Sequence, residues 1–266
     1  MKKKIISSIL LVLVLSYYLY EEKKELISSD ERGITDVEKT DDFNYLPTST
    51  TGAIIHHEGY VLSYSEKHEQ AEWVAYSLAK NDIVYMDRKR PYFIEDPKVK
   101  TKSADWRNYK KSGYDRGHLC PAADRRASEE SYNETFYTSN ISPQNHEFNA
   151  GIWNKLEQQT RYWAQKYNHL YVISGGILED NLKTIGSEKV AVPNQFYKIL
   201  LDYTKPEVKA IAFLLSHKES NKPLYQFVVS IDEIEQKTGI DFFPNLPDEL
   251  ENKLESSKDY KNWKFR

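Results

Sequence analysis

An α+β domain built on a mostly antiparallel sheet is the fold class that this sequence predicts. Three apolar runs in its second half carry the prediction: residues 170–174, 196–203 and 209–216. Each is rich in Val, Ile, Leu, Tyr and Phe, and turn signals such as Gly175-Gly176 and Lys205-Pro206 bound them. The last two are separated by a short turn, the layout of an antiparallel hairpin. Helical patterns flank these runs instead of alternating with them, which argues against a parallel βαβ arrangement.

The globular part is expected to begin near Ile54. Residues 60–64 alternate like a strand. Residues 69–80 read as a helix, because Ala71, Val74, Ala75 and Leu78 fall at the i, i+3, i+4, i+7 spacing of a buried face. A short strand is expected over 83–86, followed by a basic region punctuated by Arg90-Pro91 and Asp96-Pro97. The longest helix is expected over 147–166, with Asn145 as N-cap and Asn168 as stop. Its buried stripe would be Phe148, Ile152 and Leu156. Two further helices are expected near the end, 231–238 closed by Gly239, and 248–256 after Pro247.

A chain of 266 residues with 39% hydrophobic and 13% aromatic residues can bury one substantial core and is not disordered as a whole. The single cysteine, Cys120, excludes an intrachain disulfide and a thiolate zinc site, and reads best as a small buried hydrophobe. Lys2, Lys3 and Lys4 precede an uncharged apolar run of sixteen residues, 5–20, which has the layout of an export signal. No small-x-small cleavage site follows it, so a cleaved signal and an inner-membrane anchor both remain open. An exported protein, periplasmic or extracellular, is the expectation. Residues 21–53 are polar and charge-mixed and read as a tether, leaving 54–266 as the folded domain.

The formal net charge is −3, but it is unevenly spread. Between Asp87 and Arg126 twelve Lys/Arg face six acids, a local excess of +6 that includes Arg88, Arg90, Lys110 and Lys111. Such a surface can draw in a polyanion although the protein as a whole is mildly acidic. The same window contains Asp115-Arg116-Gly117-His118-Leu119-Cys120-Pro121-Ala122-Ala123. A neutral imidazole can take a proton from water near pH 7, and a guanidinium two residues away can fork onto phosphate oxygens. Downstream, Asn149 and Glu157 offer an amide oxygen and a carboxylate to a hard cation such as Mg2+. On a regular helix they differ by roughly 80° in direction and stand about 12 Å apart along the axis. An amide ligand plus a carboxylate acting through water is therefore the easier geometry. Spacing alone favours an ordinary polar helix face.

Asp115-Arg116-Gly117-His118-Leu119 followed by Ala123 resembles the active-site signature of the DNA/RNA non-specific endonucleases. The similarity continues through residues 136–144 and 148–157, and more weakly from about 54 to 246. The resemblance implies a ββα-metal (His-Me finger) fold. It assigns His118 as general base, Asn149 as direct Mg2+ ligand (Mn2+ as substitute) and Glu157 as a partner acting through metal-bound water. Arg116 would stabilise the phosphate, Asn140 would orient the site, and Arg90, with Arg88 competing, would supply a second phosphate contact. The implied activity is hydrolysis of DNA and RNA with little sequence preference, giving 5′-phosphate and 3′-hydroxyl ends. The rival reading is a non-catalytic, surface-anchored nucleic-acid-binding protein, which would need the basic window but not His118 with Asn149 and Glu157. A metalloprotease motif at His146-Glu147 fails because Ala150 stands where the second histidine is required. His56, His57, His68, His169 and His217 are expected to be surface or packing residues.

Overall fold

The computed structural model describes residues 43–266; the apolar run at 5–20 and the tether as far as residue 42 lie outside them. Seven antiparallel strands form the central sheet: β1 (Ala53–His56), β2 (Val61–Ser65), β3 (Gln70–Ala79), β6 (His169–Gly176), β9 (Gln195–Asp202), β10 (Lys209–Ser216) and β11 (Val228–Val229), side by side in that order. Outside this sheet, β4 (Asp115–His118) pairs with β5 (Ile141–Gln144), and β7 (Thr184–Ile185) with β8 (Val190–Ala191). The helices are α1 (Glu129–Glu134), α2 (Asn154–Tyr167), α3 (Ile231–Thr238) and α4 (Asp248–Glu255).

The three late runs are strands as expected, and β9 and β10 form the antiparallel hairpin. Local capping explains the later helices. The Ser230 hydroxyl accepts from the Glu233 N–H at 3.2 Å, and Gly239 ends α3 in the left-handed region that suits glycine (φ 70°). Helix α2 packs its Leu156, Trp163 and Ala164 into the main core with Leu62, Val74, Leu78, Leu170, Val172 and Phe213 of the sheet.

Three expectations are corrected. Residues 69–80 are not a helix; most of them form β3, in the interior of the sheet between β2 and β6. A strand covered on both faces need not alternate, and in β3 even Glu72 and Trp73 are buried, so its apolar spacing imitated a helical face. Residues 83–86 follow a short 3-10 turn (Lys80–Asp82) and pair with no strand; Tyr85 and Met86 are exposed there. The long helix begins as a wide π turn over Phe148–Trp153, broken at Gly151 (φ −95°, ψ −107°), and becomes α-helical from Asn154. Phe148, Ile152 and Leu156 are nonetheless all buried in the core.

The chain from Tyr45 is also built into the domain. Tyr45 stacks on Tyr171 at 4.4 Å, the Trp73 indole donates to Thr48 O at 2.9 Å, and Ser49 and Thr50 hydroxyls bind the Glu72 carboxylate. The folded unit thus starts before residue 54.

Candidate active site

Strand β4 presents Asp115, Arg116, Gly117 and His118, and its partner β5 runs into the turn that leads to α2. Close packing explains the glycine: a Cβ at Gly117 would lie 2.2 Å from both Cδ and Oε1 of the fully buried Gln144. Asn140 fixes the chain just after His118. Its Oδ1 accepts from the Cys120 N–H at 2.8 Å, and its Nδ2 donates to Cys120 O at 3.0 Å and Thr135 O at 2.9 Å. Its own carbonyl accepts from Leu119 N–H at 3.0 Å. Asn140 is fully buried and its side chain bonds only to backbone, of Cys120 and Thr135. Cys120 is buried as expected, and burial pushes its thiol up to about 11.

The His118 ring lies between two phenylalanines, 5.6 Å from Phe93 and edge-on to Phe136 at 5.1 Å. Its Nε2 is buried and has no hydrogen-bond partner among the described residues. Burial, helped by the Arg90 charge, pushes the imidazole down to about 3, so it is neutral at physiological pH. Arg90 stands 5.4 Å from the Phe93 centroid and 5.5 Å from that of Phe136; Arg116 stands 4.7 Å from Phe93. The two aromatic rings thus hold two guanidiniums beside the histidine. Arg88 is not in this group. Its Nε donates to Arg126 O at 2.6 Å and its Nη2 to Ala127 O at 3.3 Å, so between Arg90 and Arg88 only Arg90 is brought to the histidine.

A polar cleft of about 570 Å³ opens here, lined by Arg90, Lys110, Lys111, Arg116, His146 and Asn149, with the carboxylate of Asp115 and the rings of Trp106, Tyr109 and Tyr114. Asn149 donates from Nδ2 to Asp115 Oδ2 at 3.0 Å, which leaves its Oδ1 as the acceptor. His146 Nδ1 meets the same carboxylate oxygen at 2.9 Å, and this bond raises the His146 pKa. The turn that delivers Asn149 is capped as expected by Asn145, whose Oδ1 accepts from Glu147 N–H at 3.0 Å and Phe148 N–H at 3.3 Å. Hard oxygen donors from Asn149 and Asp115 in a wet cleft suit a cation such as Mg2+ that keeps most of its water. Among the described residues, the triads of acidic side chains close enough to share an ion lie elsewhere, at Asp232–Glu235–Glu255 and Asp241–Glu251–Glu255.

Glu157 does not line this cleft. Trp153, four residues before it, donates its indole N–H to the His118 carbonyl at 3.4 Å. Burial pushes the Glu157 carboxyl up to about 7, against the pull of Lys198 and Arg161. Arg161 also donates to Asp124 Oδ1 at 2.8 Å, and Tyr76 donates its hydroxyl to Asp124 Oδ2 at 2.9 Å. Lys198 is fully buried, with its Nζ 4.9 Å from the Trp153 ring centroid. The break at Gly151 separates Asn149 from Glu157, so the regular-helix estimate of their angle does not apply.

Sequence reasoning missed several supporting residues. His217 is more than a packing residue: its Nε2 accepts from the Asn145 N–H at 2.6 Å while its Nδ1 donates to Pro193 O at 2.8 Å, anchoring the turn before Asn149. His57 joins a buried cluster with Asp96 Oδ2 at 2.9 Å and Glu134 Oε1 at 3.2 Å. Only Arg161 left a local signal, its i, i+4 spacing from Glu157; Phe93, Phe136 and Lys198 come from distant segments.

The sequence profile of the DNA/RNA non-specific endonucleases matches residues 41–249. Nuclease EXOG, mitochondrial, of Danio rerio is 38% identical over 205 residues, 70% of this chain and 60% of that protein. Endonuclease G, mitochondrial, of Homo sapiens is 32% identical over 207 residues, 71% of this chain and 69% of its own length. Nuclease C1 of Cunninghamella echinulata var. echinulata is 32% identical over 217 residues, 74% of this chain and 85% of its own. The chain therefore spans only 60% of the Danio rerio protein. Among solved structures, the crystal structure of the EndoG/EndoGI complex matches with a TM-score of 0.68 at 30% identity, covering 73% of this chain and 86% of that one. These relatives overturn the expectation of an exported, periplasmic or extracellular protein, since EXOG and Endonuclease G are named as mitochondrial nucleases. Anchoring through residues 5–20 gains no support: that run lies outside the described residues, and among these no helix is long and apolar enough to cross a membrane.

Proposed function

Since this chain belongs to the DNA/RNA non-specific endonuclease family and has the ββα-metal nuclease fold, we propose that it is a divalent-metal-dependent endonuclease. It hydrolyses phosphodiester bonds in DNA and RNA with little sequence preference. The observation that carries the reading is the pairing of a neutral, enclosed His118 with Arg90 and Arg116, next to the cleft where Asn149 and Asp115 offer oxygen.

The polyanion enters over Arg90, Arg116, Lys110 and Lys111. Arg116 and Arg90 bind the non-bridging oxygens of the scissile phosphate and stabilise the charge that builds there. His118, whose Nε2 is buried, takes a proton from water through its other ring nitrogen as that water attacks phosphorus in line with the departing 3′ oxygen, which takes its proton from cleft water. The products carry 5′-phosphate and 3′-hydroxyl ends. Asn149 Oδ1, supported by Asp115, would hold the cation, Mg2+ or Mn2+, which when bound neutralises charge on the phosphate and the leaving oxygen. Glu157, held among Lys198 and Arg161 outside the cleft, is a positioning residue next to Trp153, whose indole N–H reaches the His118 carbonyl. Contacts made mainly to phosphates carry no base information, which accounts for the lack of sequence preference.

His118→Ala tests the reading. Plasmid and RNA cleavage with Mg2+ should fall by about 10²–10⁴-fold, while binding of labelled DNA in chelator stays close to wild type. Retention of more than about a tenth of the wild-type rate would remove His118 from its role.

A further inference from the structure

We propose that the segment carrying Tyr85 and Tyr92 is a base-stacking platform that makes single-stranded nucleic acid the preferred substrate; this rests on the nuclease reading above and specifies its substrate. Both tyrosine side chains stand almost free in solvent, Tyr85 at 90% and Tyr92 at 91% exposure, and Met86 and Ile94 beside them are exposed as well. Tyrosine ordinarily covers much of its ring against protein, so two bare rings in one short stretch form an apolar surface with a use.

The stretch from Arg88 to Ile94, which carries Tyr92, is held at both ends, and Tyr85 lies three residues before it. At one end Arg88 is bonded to the carbonyls of Arg126 and Ala127. At the other, Ile94 N–H donates to Phe136 O at 3.4 Å and Ile94 O accepts from Thr138 N–H at 2.9 Å. Both anchors belong to the long connection between β4 and β5, the connection that begins at His118. Between the two tyrosines lies Arg90, which packs over Phe93 and Phe136 beside the His118 ring. Tyr92 immediately precedes Phe93, and Lys89 is exposed next to Arg90. Phosphates on Lys89 and Arg90, with bases on Tyr92 and Tyr85, would run along one segment up to the cleft that Arg90 lines.

This alternation of cation and ring is the chemistry that binds single strands without reading sequence. A base reaches the face of an exposed tyrosine only when it is free of a complementary strand, so a duplex gains the phosphate contacts but not the stacking. The seven residue steps from Tyr85 to Tyr92 span at most ~24 Å, enough for more than one nucleotide.

The test compares Tyr92→Ala, Tyr85→Ala and Tyr92→Phe with wild type on one oligonucleotide, single-stranded and as a duplex. Two readouts are taken: kcat/KM with Mg2+, and anisotropy of the labelled single strand in chelator. Each alanine should lower single-strand affinity and kcat/KM by roughly 5- to 150-fold, the range for losing one stacked base. Duplex cleavage should change by no more than about twofold, which also reports an intact fold, and Tyr92→Phe should keep wild-type behaviour because the ring face survives. Equal losses on both substrates, no loss on the single strand, or no recovery with phenylalanine would overturn the platform. Should wild type cleave neither substrate yet bind the single strand through both tyrosines, the nuclease reading fails and the platform stands.

Discussion

Replacing Gly117 by alanine should damage activity through geometry alone. Gly117 lies in extended strand between Arg116 and His118, so alanine meets no backbone penalty there. The penalty is space: its Cβ would sit 2.2 Å from Gln144 Cδ and Oε1 and 2.5 Å from Cγ, where ordinary contact begins at 3.4 Å. The fully buried Gln144 cannot swing into solvent, so strand and side chain must part by about 1 Å. That shift falls on the β4–β5 ladder, which sets His118 against Ile141. A misplacement of about 1 Å at a reacting group costs on the order of 10²-fold in rate. Overpacking adds about 1–3 kcal/mol of lost stability. Initial rates on a fluorogenic oligonucleotide read the first effect and urea denaturation the second. Gln144→Ala in the same chain removes the atoms in conflict and should restore most of both, leaving a large coupling in the double-mutant cycle. If Gly117→Ala keeps wild-type kcat/KM within about threefold, or Gln144→Ala restores nothing, the close-packing account of this glycine is wrong.

Asn149→Ala should raise the Mg2+ concentration needed for half-maximal rate far more than it lowers the rate at saturation. Glu157→Ala should cost about 10–100-fold in rate or metal affinity, and Mg2+ titrations that show equal, small effects for both would dissociate the α2 region from the metal. The free-enzyme kcat/KM should fall as pH drops through about 7, where the Glu157 carboxyl takes up its proton; His118, held down to about 3, should contribute no limb near the usual imidazole value. Because Lys198 favours the Glu157 carboxylate, Lys198→Met should move that limb upward. An unmoved limb, in this variant and in Glu157→Gln, would assign it to another group. Neutralising Lys110 and Lys111 together should flatten the salt dependence of cleavage at low substrate without changing kcat, since both line the cleft and neither touches the chemistry; an unchanged salt slope would place them off the substrate path.

Where local chemistry dictates structure, the sequence was legible. Ser230 and Gly239 bound α3, β9 and β10 form their hairpin, and Phe148, Ile152 and Leu156 bury one stripe whatever the turn type beneath them. The motif residues His118, Arg116 and Asn149 were visible as types and spacing, because their chemistry is written in short stretches of chain. Strand β3 was not legible. Its spacing satisfied a helical template, and what makes it a strand is pairing along both edges, with β2 on one side and β6, from a distant part of the chain, on the other.

The sequence by itself determined the α+β class, the family of the chain and the candidate base, cation ligand and phosphate-binding arginine. Tertiary structure alone decided what those groups are worth. Phe93 and Phe136 enclose His118 and bring Arg90, not Arg88, to its side. The turn broken at Gly151 carries Asn149 on the cleft with Asp115, while Glu157, beyond the break, lies outside it under the charge of Lys198 and Arg161. The reason is physical: protonation state and reach depend on burial and on charges brought close by packing, and neither quantity is local in sequence.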